Sequence, residues 1–225
     1  MVSVQTMARM IAVAIFCAAL PLLVLPFAPA AAIDDPPVRI VALGDSLTTG
    51  LGLPREAAFP AHLQAALRAR GAAVEIADAG VSGDTASGGL ARVDWSVPEG
   101  TDAVILELGA NDALRGVDPG VTRAALENTL RRLEERHIAV LLAGMRAPPN
   151  MGADYVRAFD AIFPELAAAH DVVFYPFFLD GVAADRTLNQ PDGLHPTAAG
   201  VDVIVERILP AATELVARVK AKRGS

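Results

Sequence analysis

VRIVALGDSLTTG, residues 38–50, decides how the rest of the chain is read. Its first half is short and apolar apart from Arg39, the pattern of a buried strand. The run ends abruptly in Gly44-Asp45-Ser46-Leu47. A serine just past the end of a buried strand is either a turn residue or a nucleophile. The common hydrolase serine pattern, G-x-S-x-G, occurs nowhere in the chain. If Ser46 reacts, its base and its acid must be found elsewhere.

Outward from this stretch, apolar runs and helical patterns alternate. Strands are predicted at 38–43, 73–79, 103–108, 138–143 and 172–175. Helices are predicted at 57–70, closed by Gly71, and at 85–93. Asp118-Pro119 supplies a cap and a first-turn residue for a helix that carries Leu126, Leu130 and Leu133 on one face. A further helix is predicted at 155–169, with Phe159, Ile162 and Phe163 facing the core. A last one spans 197–219 behind Pro196. Continuous apolar strands separated by helices predict an α/β fold with a parallel sheet covered on both faces.

In such a sheet, functional groups gather beyond the carboxyl ends of the strands. Three polar clusters follow the first three strands: Gly44-Asp45-Ser46-Leu47, Gly80-Val81-Ser82-Gly83-Asp84 and Gly109-Ala110-Asn111-Asp112. A fourth, Asp192-Gly193-Leu194-His195-Pro196, comes just before the last helix, and all four should meet at one edge of the sheet. A serine hydroxyl is a weak nucleophile and needs an adjacent base. Histidine supplies one near neutral pH, and His195 is the candidate. A carboxylate must hold the imidazole in the right tautomer, and Asp192 is close enough in sequence to do so. Acyl transfer also needs donors aimed at the developing oxyanion. The backbone N–H groups of Ser46 and Gly80 and the side-chain amide of Asn111 are the candidates.

Composition narrows the classes. The chain has 225 residues, 53% hydrophobic and only 5% aromatic, with a formal net charge of −7. Its size suits one domain with a full core. The acidic balance and the lack of a basic cluster before the final Lys-Ala-Lys-Arg argue against nucleic-acid binding. Residues 1–32 read as a secretory signal: Arg9, a long apolar stretch, then Ala28-Pro29-Ala30 and Ala30-Ala31-Ala32 as small-x-small cleavage sequences. An uncleaved membrane anchor is the alternative, opposed by Pro21, Pro26 and Pro29. The single cysteine, Cys17, lies in this segment, so residues 33–225 hold no disulfide, thiol nucleophile or cysteine metal site. The predicted location is periplasmic or secreted.

Together, GDSL at 44–47, Gly80, G-x-N-D at 109–112 and D-x-x-H at 192–195 resemble the four blocks of the GDSL, or SGNH, hydrolases. VSGDT at 81–85, LARV at 90–93, LELGANDALRG at 106–116, FPELA at 163–167 and PFFLDGV at 176–182 are similar to the bacterial thioesterase I, lysophospholipase and arylesterase branch. The resemblance implies a flavodoxin-like three-layer α/β/α sandwich with five parallel strands, in a single domain at 33–225. It implies a nucleophile at Ser46, a base at His195, an orienting acid at Asp192, and an oxyanion hole from Ser46, Gly80 and Asn111. It further implies a flexible substrate loop at 113–118, with Ala113, Leu114, Arg115 and Gly116 facing substrate. Neither a metal nor an organic cofactor is expected. The expected substrates are aryl esters, short- to medium-chain acyl esters, thioesters or lysophospholipids, with no obligate protein partner. A polysaccharide O-deacetylase and a non-catalytic binding module are the rival readings.

Other polar residues are expected to be structural. Asp45 should brace the serine turn, Asp112 should support its own loop, and Asp84 should cap the next helix. Asp202 is a second possible acid for His195, but it lies within the last helix. His62, His137 and His170 are not spaced to hold a metal. Trp95 is either a packing residue or a substrate wall. Phe174, Phe177 and Phe178 read as core, and Lys-Ala-Lys-Arg as a solvated tail.

Overall fold

The computed structural model describes residues 36–224. The signal or anchor segment predicted at 1–32 lies outside them. Five strands form one sheet: β1 (Val38–Gly44), β2 (Val74–Gly80), β3 (Ala103–Glu107), β4 (Ala139–Ala143) and β5 (Val173–Tyr175). All are parallel, in the order β2-β1-β3-β4-β5. Every residue of β3 and β4 is buried, as their apolar runs require, Glu107 at the end of β3 being the one charged residue among them. The edge strand β2 is only partly covered: Glu75 is exposed, and Asp78 is half-buried.

Among the described residues eight α-helices accompany the sheet: α1 (Ser46–Thr49), α2 (Phe59–Ala69), α3 (Ala86–Ser96), α4 (Ala110–Leu114), α5 (Pro119–Glu135), α6 (Ala153–Asp160), α7 (Ile162–Ala169) and α8 (Ala198–Arg223). α2 and α8 pack together on one face of the sheet; α3, α5 and α7 cover the other. The fold is a three-layer α/β/α sandwich. Leu126, Leu130 and Leu133 of α5 are all fully or almost fully buried, as their spacing predicted. α2 stops where Gly71 takes φ +80°, and the Gly71 and Ala72 N–H groups close back on the Arg68 and Leu67 carbonyls.

Three expectations change. The helix predicted at 155–169 is two helices, α6 and α7, meeting at Ala161. Pro164 has no N–H for the Asp160 carbonyl and its ring crowds that oxygen, so the helix must restart. α4 was not foreseen: Ala113 and Leu114 belong to it, and Ala113 is only 2% exposed. Only 115–118 of the expected substrate loop is therefore irregular. Finally, Lys-Ala-Lys-Arg continues α8 rather than forming a tail. Arg223 bonds the carbonyls of Pro36 and Pro37 and the Asp102 carboxylate, fastening the end of α8 to the start of the domain.

The pairing register sets the strand ends level. Gly44 lies opposite both Gly80 and Glu107, and Glu107 opposite Ala143. β1 and β3 flank the point where the strand order reverses, the place where open α/β sheets put their ligands. Ser46 follows β1 and Asn111 follows β3.

Candidate active site

The turn after β1 is built tightly. A Cβ on Gly44 would lie 2.0 Å from Thr48 Oγ1 and 2.6 Å from the Glu107 carbonyl, so only glycine fits. Asp45 caps α1: its Oδ1 accepts the Leu47 N–H at 2.9 Å. This fixes Ser46 at the first position of a one-turn helix, 7% exposed, at the sheet's carboxyl edge.

His195 arrives from the segment before α8. Its Nε2 lies 2.9 Å from Ser46 Oγ, and its Nδ1 lies 2.7 Å from Asp192 Oδ2. The other Asp192 oxygen accepts the N–H groups of Leu194 and His195 at 2.9 and 3.0 Å. The His195 bond, followed by these two amides, holds the Asp192 carboxyl down at about 2. It is an anion throughout the physiological range. Asp202, the other candidate acid, points away and bonds His62 at 2.8 Å.

Asn111, on α4, donates Nδ2–H to Asp45 Oδ2 at 2.9 Å, leaving its second amide hydrogen for another acceptor. The Ser46 N–H donates to no acceptor among the described residues. Gly80 departs from expectation. Its N–H donates to Asp78 Oδ1 at 2.8 Å, and Asp78 Oδ2 in turn accepts the Thr49 hydroxyl at 3.1 Å. That amide is committed to its own strand, and the absence of a Cβ at Gly80 serves close packing under α1 instead. On the next turn Gly83, at φ +85°, keeps an N–H with no acceptor among the described residues, and its carbonyl accepts Arg115 Nη2 at 2.9 Å.

Several supports were not legible in the sequence. Arg92 is buried and bonds the carbonyls of Gly44 and Ala79, both at 2.8 Å, so it ties the ends of β1 and β2 together. Its Nε bonds Asp84 at 2.6 Å; Thr85, not Asp84, caps α3. Gln190 bonds the carbonyls of Leu51 and Pro196 at 2.7 and 2.9 Å and joins the histidine loop to the serine turn. Asp112 is structural: it accepts the Ala86 N–H and the Thr122 hydroxyl. Beneath the serine turn, Glu107 is fully buried and accepts Thr48 Oγ1 at 2.8 Å, while its Oε1 has no partner. Burial first, then the Asp45 charge, pushes the Glu107 carboxyl well above the ordinary range. Burial likewise lifts Asp45 to about 6 against the bonds from Leu47 and Asn111.

Ser46, His195 and Asn111 open into a cavity of about 440 Å³, a volume suited to a small ligand. Its walls are largely apolar, with Leu47, Leu114, Met145, Phe177 and Leu179. Phe177 therefore belongs to the cavity, whereas Phe178 is core and stacks edge-on against Phe59. Arg115, Gly116 and Trp95 do not line it; Trp95 is 73% exposed on α3. A second cavity, at the opposite end of the sheet, is lined by charges that pair with each other, such as Arg218 with Asp171.

Residues 42–203 match the GDSL-like lipase/acylhydrolase family. The chain belongs to that family. It is 36% identical to the esterase TesA of Pseudomonas aeruginosa over 172 residues, covering 76% of this chain and 86% of the other. It is 37% identical to an arylesterase of Vibrio mimicus, over 79% of this chain and 88% of the other. The crystal structure of AlinE4, an SGNH-hydrolase family esterase, superposes with a TM-score of 0.69 at 44% identity, covering 81% of this chain and 98% of that one. This GDSL-family chain is accordingly a carboxylic ester hydrolase. Among the described residues no helix is long and apolar enough to cross a membrane, and no group of three His, Cys, Asp or Glu side chains could hold a metal ion.

Proposed function

We propose that the chain hydrolyses acyl esters or thioesters through an acyl-enzyme on Ser46. The observation that carries this reading is the unbroken chain Asp192–His195–Ser46, at 2.7 and 2.9 Å, at the mouth of an apolar cavity. His195 Nε2 takes the proton of Ser46 Oγ as that oxygen attacks the carbonyl. Asp192 holds Nδ1–H and offsets the imidazolium charge. The oxyanion is met by the Ser46 N–H and the free Asn111 Nδ2–H. We assign the glycine donor to Gly83 in place of Gly80, because the Gly80 amide is already bonded to Asp78. His195 then protonates the leaving alcohol or thiol, and water clears the acyl group by the same steps reversed.

The apolar walls suit an acyl chain or an aryl group. Aryl esters, short- to medium-chain acyl esters and lysophospholipids are the proposed substrates. With residues 1–32 removed as a signal, the enzyme would act outside the cytoplasm. Hydrolysis of p-nitrophenyl esters from acetyl to palmitoyl, by the protein starting at Ile33, tests the reading. A chain-length optimum is expected; background rates along the whole series from a folded protein would contradict it.

A further inference from the structure

Arg146 stands at the same sheet edge, three residues past β4, and lines the cavity that holds Ser46 and His195. It is the only permanently charged side chain among the cavity's lining residues. Its guanidinium carbon lies 4.9 Å from the centroid of the Phe177 ring. Arg92, Arg123, Arg132, Arg207, Arg218 and Arg223 each reach a carboxylate. Arg146 ion-pairs with none among the described residues.

The geometry points to Arg146 as a specificity residue that recognises an oxyanion, phosphate or carboxylate, carried by the substrate near its scissile ester. This rests on the ester-hydrolase reading of the site. Three physical arguments support it. A guanidinium seated over an aromatic ring can stack by its flat face, an arrangement that leaves its in-plane N–H donors free. Those donors match the paired oxygens of a phosphate or carboxylate. The chain as a whole carries −7 and so repels anions; an arginine with no ion-pair partner among the described residues places a local positive charge on the cavity wall. The bland alternative is a solvated arginine whose stem merely covers Phe177.

Three esters of one hexanoyl chain separate the readings, each short enough to stay monomeric: hexanoylglycerol, hexanoylglycerol phosphate and the hexanoyl ester of glyceric acid. The readout is the ratio of kcat/KM for an anionic ester to that for the neutral one, since a general disturbance of the wall moves both alike. The wild type is expected to favour an anionic ester by about tenfold, mainly through KM. Arg146→Gln should collapse the ratio, and Arg146→Lys should keep part of it, having charge without the flat stack. Dependence on Arg146 for the phosphate ester alone assigns phosphate; dependence for both assigns either oxyanion. A ratio that is the same in wild type and Arg146→Gln overturns the proposal while leaving the hydrolase reading intact. Folded wild type that cleaves p-nitrophenyl esters but none of the three overturns the proposal alone; background rates on the p-nitrophenyl series as well overturn both.

Discussion

Asn111 donates its side-chain amide to Asp45 at 2.9 Å, across the point where the strand order reverses. Asp45 is buried and accepts the Leu47 N–H with its other oxygen. One carboxylate thus fixes both the turn that carries Ser46 and an amide that lines the cavity. Asn111→Ala should lower kcat on p-nitrophenyl butyrate by about 10²–10³-fold with little change in KM, the cost of one oxyanion donor. Asp45→Asn keeps the shape but weakens the orienting bond, and should lower kcat by about tenfold. Steady-state kinetics read both; an unchanged kcat in Asp45→Asn would remove Asp45 from this role.

Glu107 makes stability depend on pH. Its carboxyl titrates well above the ordinary 4.5 in the folded chain, so the folded state binds more protons than the unfolded state in the window above 4.5. Its contribution is full below that window and is lost as pH rises through it, by at most about 1.4 kcal/mol per pH unit for one group. Asp45 acts with the same sign between 3.8 and about 6. Glu107→Gln cannot ionise. Urea unfolding at about pH 5 and about pH 8 should show its stability rising relative to wild type as pH rises. A gap independent of pH would contradict the assignment.

Gln190 links the two halves of the site through the carbonyls of Leu51 and Pro196. Gln190→Ala should cost about 1 kcal/mol for each bond lost. It should also lower kcat by about tenfold, because the His195 loop loses its tie to the serine turn. Loss of stability with unchanged kcat would make Gln190 a structural brace only.

Arg92 is 6% exposed and bonds two strand-end carbonyls and Asp84. Arg92→Met leaves the Asp84 carboxylate without its ion pair and takes one bond from each of the two carbonyls, and should cost about 3–5 kcal/mol in urea unfolding. Arg123→Met, which breaks the exposed pair with Glu165, should change stability by no more than about 1 kcal/mol.

The layered fold was readable because most strands are short apolar runs and two of the covering helices carry a clear signal, the Asp118-Pro119 cap of α5 and the Gly71 stop of α2. Ser46 and Asn111, just past β1 and β3, and Asp192 and His195, before α8, stood out in the sequence by their chemistry, and the fold brings His195 within 2.7 Å of Asp192 and 2.9 Å of Ser46. Gly80 misled because a glycine after a strand looks alike whether it spares room for a ligand or for α1; only the bond to Asp78 separates the two. Arg92 and Gln190 act through backbone carbonyls distant in sequence, which no local pattern records. α4 is a single turn, too short for periodicity to reveal.

Treatment with a fluorophosphonate, followed by intact mass and peptide mapping, tests the central claim most directly. Wild-type protein should take up one phosphonyl group per chain, on the peptide that holds Ser46, as ester hydrolysis is lost in parallel. Ser46→Ala should take up none, and its kcat should fall by about 10⁴–10⁶-fold. Hydrolysis that survives in Ser46→Ala, or label on another residue with loss of activity, would contradict the claim that Ser46 is the nucleophile.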